Sequence, residues 1–234
     1  MKAACLWSGG KDSCFACYKA ILEGRQIISL LNFTQPDGVF SLSHGLPGKI
    51  IADQAALAGL PILQKGMPQD GYEKEFKALI KDWKKEKCIE GIVFGDIYLQ
   101  EHKDWIDRVC GEAGIKTIFP LWKLDTMKII FDFIDSGFEA IVVCVKQDIL
   151  GNEWLGRKID RNFIEELLKF NPRIDPCGEA GEFHSLVISG PLFSGRLNIT
   201  SSKIEDHEGR GFLNIKGYKI INNIGAGKAK EVSV

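Results

Sequence analysis

The residues best suited to chemistry stand near the start of the chain. Ser8-Gly9-Gly10-Lys11-Asp12-Ser13 follows directly on the apolar run Ala3-Ala4-Cys5-Leu6-Trp7. Glycines let the backbone approach a ligand and take conformations closed to other residues. If Asp12 opens a helix, the loop amides and the free N–H groups of its first turn point at an anion, helped by the helix dipole. Ser8 and Ser13 add hydroxyl donors, and Lys11 adds a full positive charge. Such a set suits nucleotide phosphates; the plain alternative is a glycine-rich turn with an Asp cap. Two commoner glycine loops do not fit. A GxxxxGK[ST] loop needs Gly at Cys5 and Ser or Thr at Asp12, and GxGxxG needs a third glycine at Ser13.

Other candidates are spread along the chain. Asp96 follows Gly95 at the end of the apolar run Gly91 to Phe94, a place to meet nucleotide or Mg²⁺, or to cap a helix. His44 lies in a glycine-containing loop. Arg157 follows Trp154 and could meet a phosphate or a substrate acid, or form a salt bridge. Glu179 and Glu182 sit among glycines, where they could bind a metal, orient an amine or hold substrate. His184 is close by and is either a substrate contact or an ordinary surface histidine. Cys14-x-x-Cys17 has redox spacing, but both cysteines fall on the apolar stripe of a helix. No His, Cys or carboxylate group shows zinc spacing.

These residues need a frame, and the first two-thirds of the chain supplies alternating strand and helix patterns. Ala3 to Trp7 reads as a buried strand. Cys14, Cys17, Tyr18, Ile21 and Leu22 then repeat at helical spacing, and Gly24 stops that helix. The strand Ile27 to Phe33 follows. Further helices are expected at Ile50 to Ala58, around Tyr72 to Trp83, around Trp105 to Ala113, at Met127 to Ile134 and at Phe163 to Leu168. Strands are expected at Ile62-Leu63, Gly91 to Phe94, Thr117 to Phe119 and Ala140 to Val145. Repeated βα units imply a mostly parallel sheet with right-handed crossovers, whose ligands sit beyond the carboxyl ends of the strands. Ser8, His44 and Asp96 all fall at or beyond such ends.

After Leu168, prolines and glycines break the text into short pieces. Leu186 to Ile188, Leu197 to Ile199 and Phe212 to Ile221 predict a β-rich tail, and Lys228 to Val234 a frayed terminus. The expected organisation is a domain carrying the phosphate loop over 1–120 and a smaller α+β domain over 121–234. A net charge of -1 gives no electrostatic basis for a nucleic-acid partner. The run Lys81 to Lys87 also contains acids and reads as a solvated helix side. No apolar stretch reaches the roughly 20 residues of a membrane span. With no export signal visible and 7 scattered cysteines, reduced thiols and a cytoplasmic location are expected.

The loop Ser8 to Ser13 resembles that of the PP-loop (N-type) ATP pyrophosphatases. This resemblance implies a parallel-sheet fold of the adenine-nucleotide α-hydrolase (HUP-like) type, ATP and Mg²⁺ as cofactors, and AMP with pyrophosphate as products. It places ATP on Ser8, Gly9, Gly10, Lys11, Asp12, Ser13, His44 and Asp96, with Asp12 toward Mg²⁺. Gly151 to Arg157 and Cys177 to His184 are similar to segments of the diphthine–ammonia ligase family; His44-Gly45, Gly95-Asp96 and Pro120-Leu121-Trp122 also match it. That likeness runs from Ser8 to about Phe193. It implies a ligase that adenylates a carboxylate and amidates it with ammonia, with modified histidine on translation elongation factor 2 as acceptor. Lys11, Asp12 and Glu182 would be catalytic; Arg157, Glu179, Glu182 and His184 would meet substrate. The assigned elements leave no room for a glutaminase, so ammonium or another small amine is the expected nucleophile, and a homo-oligomer is allowed. Gly95 to His102 and His184-Ser185 depart from the family pattern. Two other functions remain open: an ATP pyrophosphatase acting on a different small carboxylate or amide, and a non-catalytic ATP-binding sensor.

Overall fold

The fold was read from a computed structural model, which describes residues 1–42 and 44–222 and the backbone of 230–233. Five parallel strands form the first sheet: β1 (Lys2–Leu6), β2 (Gln26–Thr34), β3 (Ile62–Gly66), β4 (Gly91–Val93) and β5 (Lys116–Ile118), in the order β3-β2-β1-β4-β5. Helices α1 (Lys11–Leu22), α2 (Gly48–Leu57), α3 (Tyr72–Lys87) and α4 (Gln100–Glu112) make the crossovers. Ala3, Ala4 and Cys5 of β1 are fully buried, as expected of a central strand covered on both faces. The order reverses beside β1, and a crevice opens there at the carboxyl ends. This is the adenine-nucleotide α-hydrolase arrangement that the sequence predicts.

Helix α1 stops where Gly24 takes φ +79°, a left-handed conformation that favours glycine. Cys14 and Cys17 are buried in its packed face, and burial pushes the Cys14 thiol well up. The lysine-rich end of α3 is mostly solvated, although Lys84 Nζ reaches over to donate to Ala113 O and Gly114 O at the end of α4.

The second half begins with α5 (Thr126–Asp135), whose Asp125 cap accepts from the Lys128 N–H. Strand β6 (Glu139–Lys146) does not extend the parallel sheet, although its βα context would suit that. It pairs antiparallel with β7 (Phe183–Ser189) and β9 (Arg210–Asn222), with α6 (Arg161–Phe170) between β6 and β7. Strand β8 (Gly195–His207) forms a long hairpin with β9. Its outer half, mostly exposed, carries no apolar alternation, and this is why the sequence marks only Leu197 to Ile199. The hairpin turns through Glu208 at φ 49° and Gly209 at φ 75°. The frayed end expected over Lys228 to Val234 is corrected in part. Lys230–Ser233 forms β10 against β9, and the other residues of that stretch lie outside the described residues.

The two halves share one core. Phe15 of α1 meets Phe133 of α5 edge-on at 5.9 Å and Phe138 at 6.0 Å, and Phe133 stacks on Phe138 at 4.9 Å. Each fully buried ring of this kind contributes roughly 1.5–3 kcal/mol. The aromatic joint therefore holds α1, the helix behind the loop, against the second half.

Candidate active site

The loop after β1 is held open by glycine and fixed by hydroxyls. Gly9 has φ +80°, and a Cβ there would lie 2.4 Å from Ile51 Cδ1 and 2.5 Å from Gln54 Oε1. A Cβ on Gly10 would lie 2.3 Å from His44 Cε1. The Ser8 N–H donates to Ser13 Oγ at 3.2 Å, and the Gly10 N–H to Ser8 Oγ at 3.3 Å. Gly10 caps α1 without a side-chain bond, so Asp12 lies in the first turn and not at the cap. The Asp-capped turn is thereby set aside, and the helix dipole faces the cleft.

The second half buttresses this loop. The Val187 N–H donates to Gly9 O at 2.9 Å, and the Lys11 N–H to Ser185 Oγ at 3.1 Å. Buried Gln54 joins them: its Nε2 donates to Gly9 O (3.0 Å) and Val187 O (2.6 Å), and its Oε1 accepts from Trp7 Nε1 (3.2 Å).

A cleft of about 450 Å³ opens at the strand ends. Ser8, Lys11, Asp12 and Ser13 line one side; His44, Asp96, Glu179 and His184 close in around them. Gly95 lets β4 meet α1, since a Cβ there would lie 2.9 Å from both Asp12 C and Ser13 N. Eight predicted site residues thus come together, with Gly9 and Gly10 forming the loop behind them. Arg157 does not join this cleft. It lies in a separate groove, its guanidinium 4.4 Å from the Trp154 ring centre and its Nη2 2.5 Å from Glu166 Oε2. Glu182 is buried just outside the cleft lining. Its Oε1 accepts from the Asp175 N–H at 3.1 Å, and its Oε2 has no partner.

Electrostatics distinguish the groups. Burial opposes the charge on Lys11, but Asp12, 2.9 Å away, with smaller help from Cys177 and Glu179, more than offsets this and raises the pKa. The same ammonium contacts Cys177 O. Glu179 accepts from the Ile97 N–H at 3.0 Å. Burial, with the like charges of Asp12 and Asp96, pushes its carboxyl up to about 7. His44 and His184 stack at 4.8 Å. Burial lowers both, His184 to about 4, so both rings are neutral at physiological pH. Asp96 is paired with His102, which it raises despite burial.

Asp12 Oδ1 is buried and has no hydrogen-bond partner. That free oxygen at the phosphate loop fits Mg²⁺, which binds through one or two carboxylates with substrate phosphates and water. Among the described residues no group of three or more His, Cys, Asp or Glu forms a closed metal cage.

Some lining residues escaped the sequence reading. Asn32 donates to Trp7 O (2.9 Å) and Ser41 Oγ (3.0 Å) from inside β2, while Tyr72 and Leu99 form apolar wall. A polar residue within the apolar run Ile27 to Phe33 was the available signal for Asn32. Tyr72 and Leu99 gave none, because each also suits a helix face or a loop.

Comparison with known proteins identifies the family. The family model described as diphthamide synthase N-terminal domain matches residues 1–117, and the diphthamide synthase C-terminal domain matches 125–221. Diphthine--ammonia ligase of Schizosaccharomyces pombe is 27% identical over 88% of this chain, which spans only 37% of that protein. The Danio rerio protein of that name is 27% identical, with 91% of each chain covered, and the Homo sapiens protein 26%, covering 91% of this chain and 88% of the relative. A solved chain described as a predicted subunit of tRNA methyltransferase from Methanocaldococcus jannaschii is 16% identical and covers 82% of this chain and 98% of its own. Its TM-score is 0.42, too loose a fit to add to the topology above. With both halves matched across the loop and the Cys177 to His184 segment, the chain belongs to the diphthamide synthase family.

Proposed function

We propose that this chain is an ATP-dependent carboxylate–ammonia ligase: it adenylates an acceptor carboxylate, releases pyrophosphate and passes the acyl group to ammonia. The supporting observation is the facing of two walls. The loop Ser8 to Ser13, with Lys11 and the open first turn of α1, offers donors for the terminal phosphates of ATP. Glu179, from the glycine-rich second segment, faces it with a carboxyl poised near neutrality. Unit 1–120 is the ATP-binding part and 121–234 the substrate-associated part.

In this reading Lys11, Ser8 and Ser13 bind the β and γ phosphates and leave the α phosphorus open. Asp12 holds Mg²⁺, which when bound neutralises phosphate charge. An acceptor carboxylate oxygen attacks the α phosphorus, and pyrophosphate leaves. Ammonia then attacks the acyl carbon and AMP leaves. Glu179 is placed to take the proton that ammonium must lose, since its pKa near 7 suits a base at physiological pH. Glu182 shapes the loop that carries Glu179 by holding the Asp175 amide. Diphthine is the acceptor that the relatives' name suggests, carried on translation elongation factor 2 as the family resemblance implies, and the buried free thiols fit a cytosolic setting.

Purified protein given Mg²⁺, α-labelled ATP, ammonium and diphthine-bearing elongation factor 2 should yield labelled AMP, pyrophosphate and a factor about one dalton lighter, as expected when NH₂ replaces OH on an activated acyl group. ADP as the main product excludes the adenylation chemistry. AMP formation driven only by a small carboxylate shifts the acceptor to a metabolite, and tight ATP binding without turnover leaves a sensor.

A further inference from the structure

One arginine beside the cleft has no assigned work. Arg210 opens β9, and the register places it beside the cleft wall. His184 of β7 pairs with Cys144 of β6, Cys144 pairs with Phe212 of β9, and Arg210 lies two residues from Phe212. Directly opposed residues share a sheet face, as do positions i and i+2 along a strand. His184, Cys144, Phe212 and Arg210 therefore occupy one face, which continues the cleft wall beyond His184.

The guanidinium is half-buried and poorly used. Its Nη1 donates to Gly181 O at 3.2 Å and to Cys144 Sγ at 3.9 Å. Among the described residues no carboxylate forms an ion pair with it, although most other arginines here have one. Gly181 takes φ +83°, and a Cβ there would lie in contact at 3.5 Å from Arg210 Nη2, so this loop lies against one side of the guanidinium, while Nη2 itself makes no hydrogen bond among the described residues. On the far side, a Cβ on Gly45 would be 3.4 Å from Phe212, which places the His44 loop over the same face. A guanidinium fork matches a carboxylate bidentately.

We infer that Arg210 is the anchor for the acceptor's carboxylate, at a subsite between His184 and Phe212, over the buried Cys144. This rests on the ligase reading above. The arrangement explains the neutral His44–His184 stack between two cations, Lys11 and Arg210. Uncharged rings add no further positive charge between the phosphates and the acceptor, yet keep polar atoms on the wall. Arg210 is a binding residue here, and Glu179 remains the base.

The test uses acetate as probe, with acetamide as its uncharged counterpart. Wild-type protein, Arg210→Gln and Arg210→Lys are saturated with Mg²⁺ and a non-hydrolysable ATP analogue. The imidazole C–H signals of His44 and His184 are then followed by NMR during titration. Acetate should shift His184 saturably, and Arg210→Gln should raise the midpoint by about 10-fold or more, the scale of one charge-assisted pair. Arg210→Lys, with charge but no fork, should fall between, and acetamide should give no saturable shift. Affinity for the ATP analogue should stay unchanged in all three. Equal midpoints for the wild type and Arg210→Gln, an equal response to acetamide, or no response to acetate in the wild type each overturn the assignment. Amide formation on elongation factor 2 is scored separately. If it fails while acetate still depends on Arg210, the acceptor's identity is wrong and the subsite stands. If amide forms normally in Arg210→Gln, the subsite is wrong and the ligase stands.

Discussion

Val187 donates its backbone N–H to the carbonyl of Gly9 at 2.9 Å, so a strand of the second half is hydrogen-bonded to the phosphate loop of the first. Gln54 reinforces the contact by donating to Gly9 O and to Val187 O. The loop's shape therefore depends on the second half of the chain, and residues 1–120 alone lack Val187.

Gln54→Ala should accordingly be costly. It leaves Trp7 Nε1 without its acceptor and deprives Gly9 O and Val187 O of a donor, all inside the core. An orphaned buried polar group costs about 1–3 kcal/mol, so a total loss of about 3 kcal/mol is expected. Urea denaturation measures it. A loss below about 1 kcal/mol, within the range of ordinary surface substitutions, would show that the clamp is dispensable.

Gly10→Ala should abolish tight nucleotide binding without unfolding the chain. The backbone at Gly10, φ -83°, accepts alanine, but the new methyl would lie 2.3 Å from His44 Cε1. Displacing His44 or the loop by this much should weaken ATP binding by about 10-fold or more, since misplacement near 1 Å is that costly in a preorganised site. His44→Ala in the same chain removes the clash and should restore part of the affinity. Calorimetric titration of the single and double variants decides it, and a double variant no better than Gly10→Ala would place the conflict elsewhere, at Ser185 O.

The loop was legible because its chemistry is local. Strand, glycines and helix are contiguous, and Ser8 to Ser13 act within a single turn. The βα order was legible for the same reason, since each apolar stripe reveals its own element. Arg157 shows the limit. Its neighbours suggest a substrate contact, but Trp154 and Glu166 hold it in another groove, and only the tertiary packing decides that. Gln54 and Ser185 support the loop from positions 45 and 174 residues distant from their partners Gly9 and Lys11, and no spacing rule reaches that far. The outer half of β8 was invisible because its exposed residues need no apolar alternation.

The carboxyl of Glu179 should leave a signature in the pH dependence of stability. Its folded pKa, about 7, lies above the ordinary value of 4.5. Below 4.5 the group is protonated in both states and costs nothing. As pH rises through 4.5 to 7 the unfolded chain ionises first, so the folded state loses stability, and above 7 the loss is complete. Glu179→Gln keeps an acceptor for the Ile97 N–H and removes the charge. The variant should melt with the wild type at about pH 4 and a few degrees higher at about pH 8, at roughly 2–4 °C per kcal/mol for a chain of this size. Equal melting temperatures at both values would mean that Glu179 ionises without strain, and would remove its claim to be a base near neutrality.

Lys11→Met separates charge from shape at the centre of the loop. The side chain is 4% exposed, with its ammonium between Asp12 and Cys177 O and 5.2 Å from the Phe183 ring centre. Methionine keeps the stem packed against that ring and removes the cation. A charge-assisted bond to phosphate is worth roughly 1.5–3 kcal/mol, so ATP affinity should fall by about 10- to 100-fold. The substitution also strips Asp12 of the one counter-ion within 4 Å among the described residues, which should raise the carboxyl pKa and weaken Mg²⁺ binding with it. Asp12→Asn added to Lys11→Met removes that unpaired charge, so the double variant should lose less than the sum of the two single losses. Titrating ATP into the three variants, with and without Mg²⁺, gives the coupling directly. Strict additivity would show that Lys11 and Asp12 meet the nucleotide independently, and an unchanged affinity in Lys11→Met would remove the phosphate role from the loop.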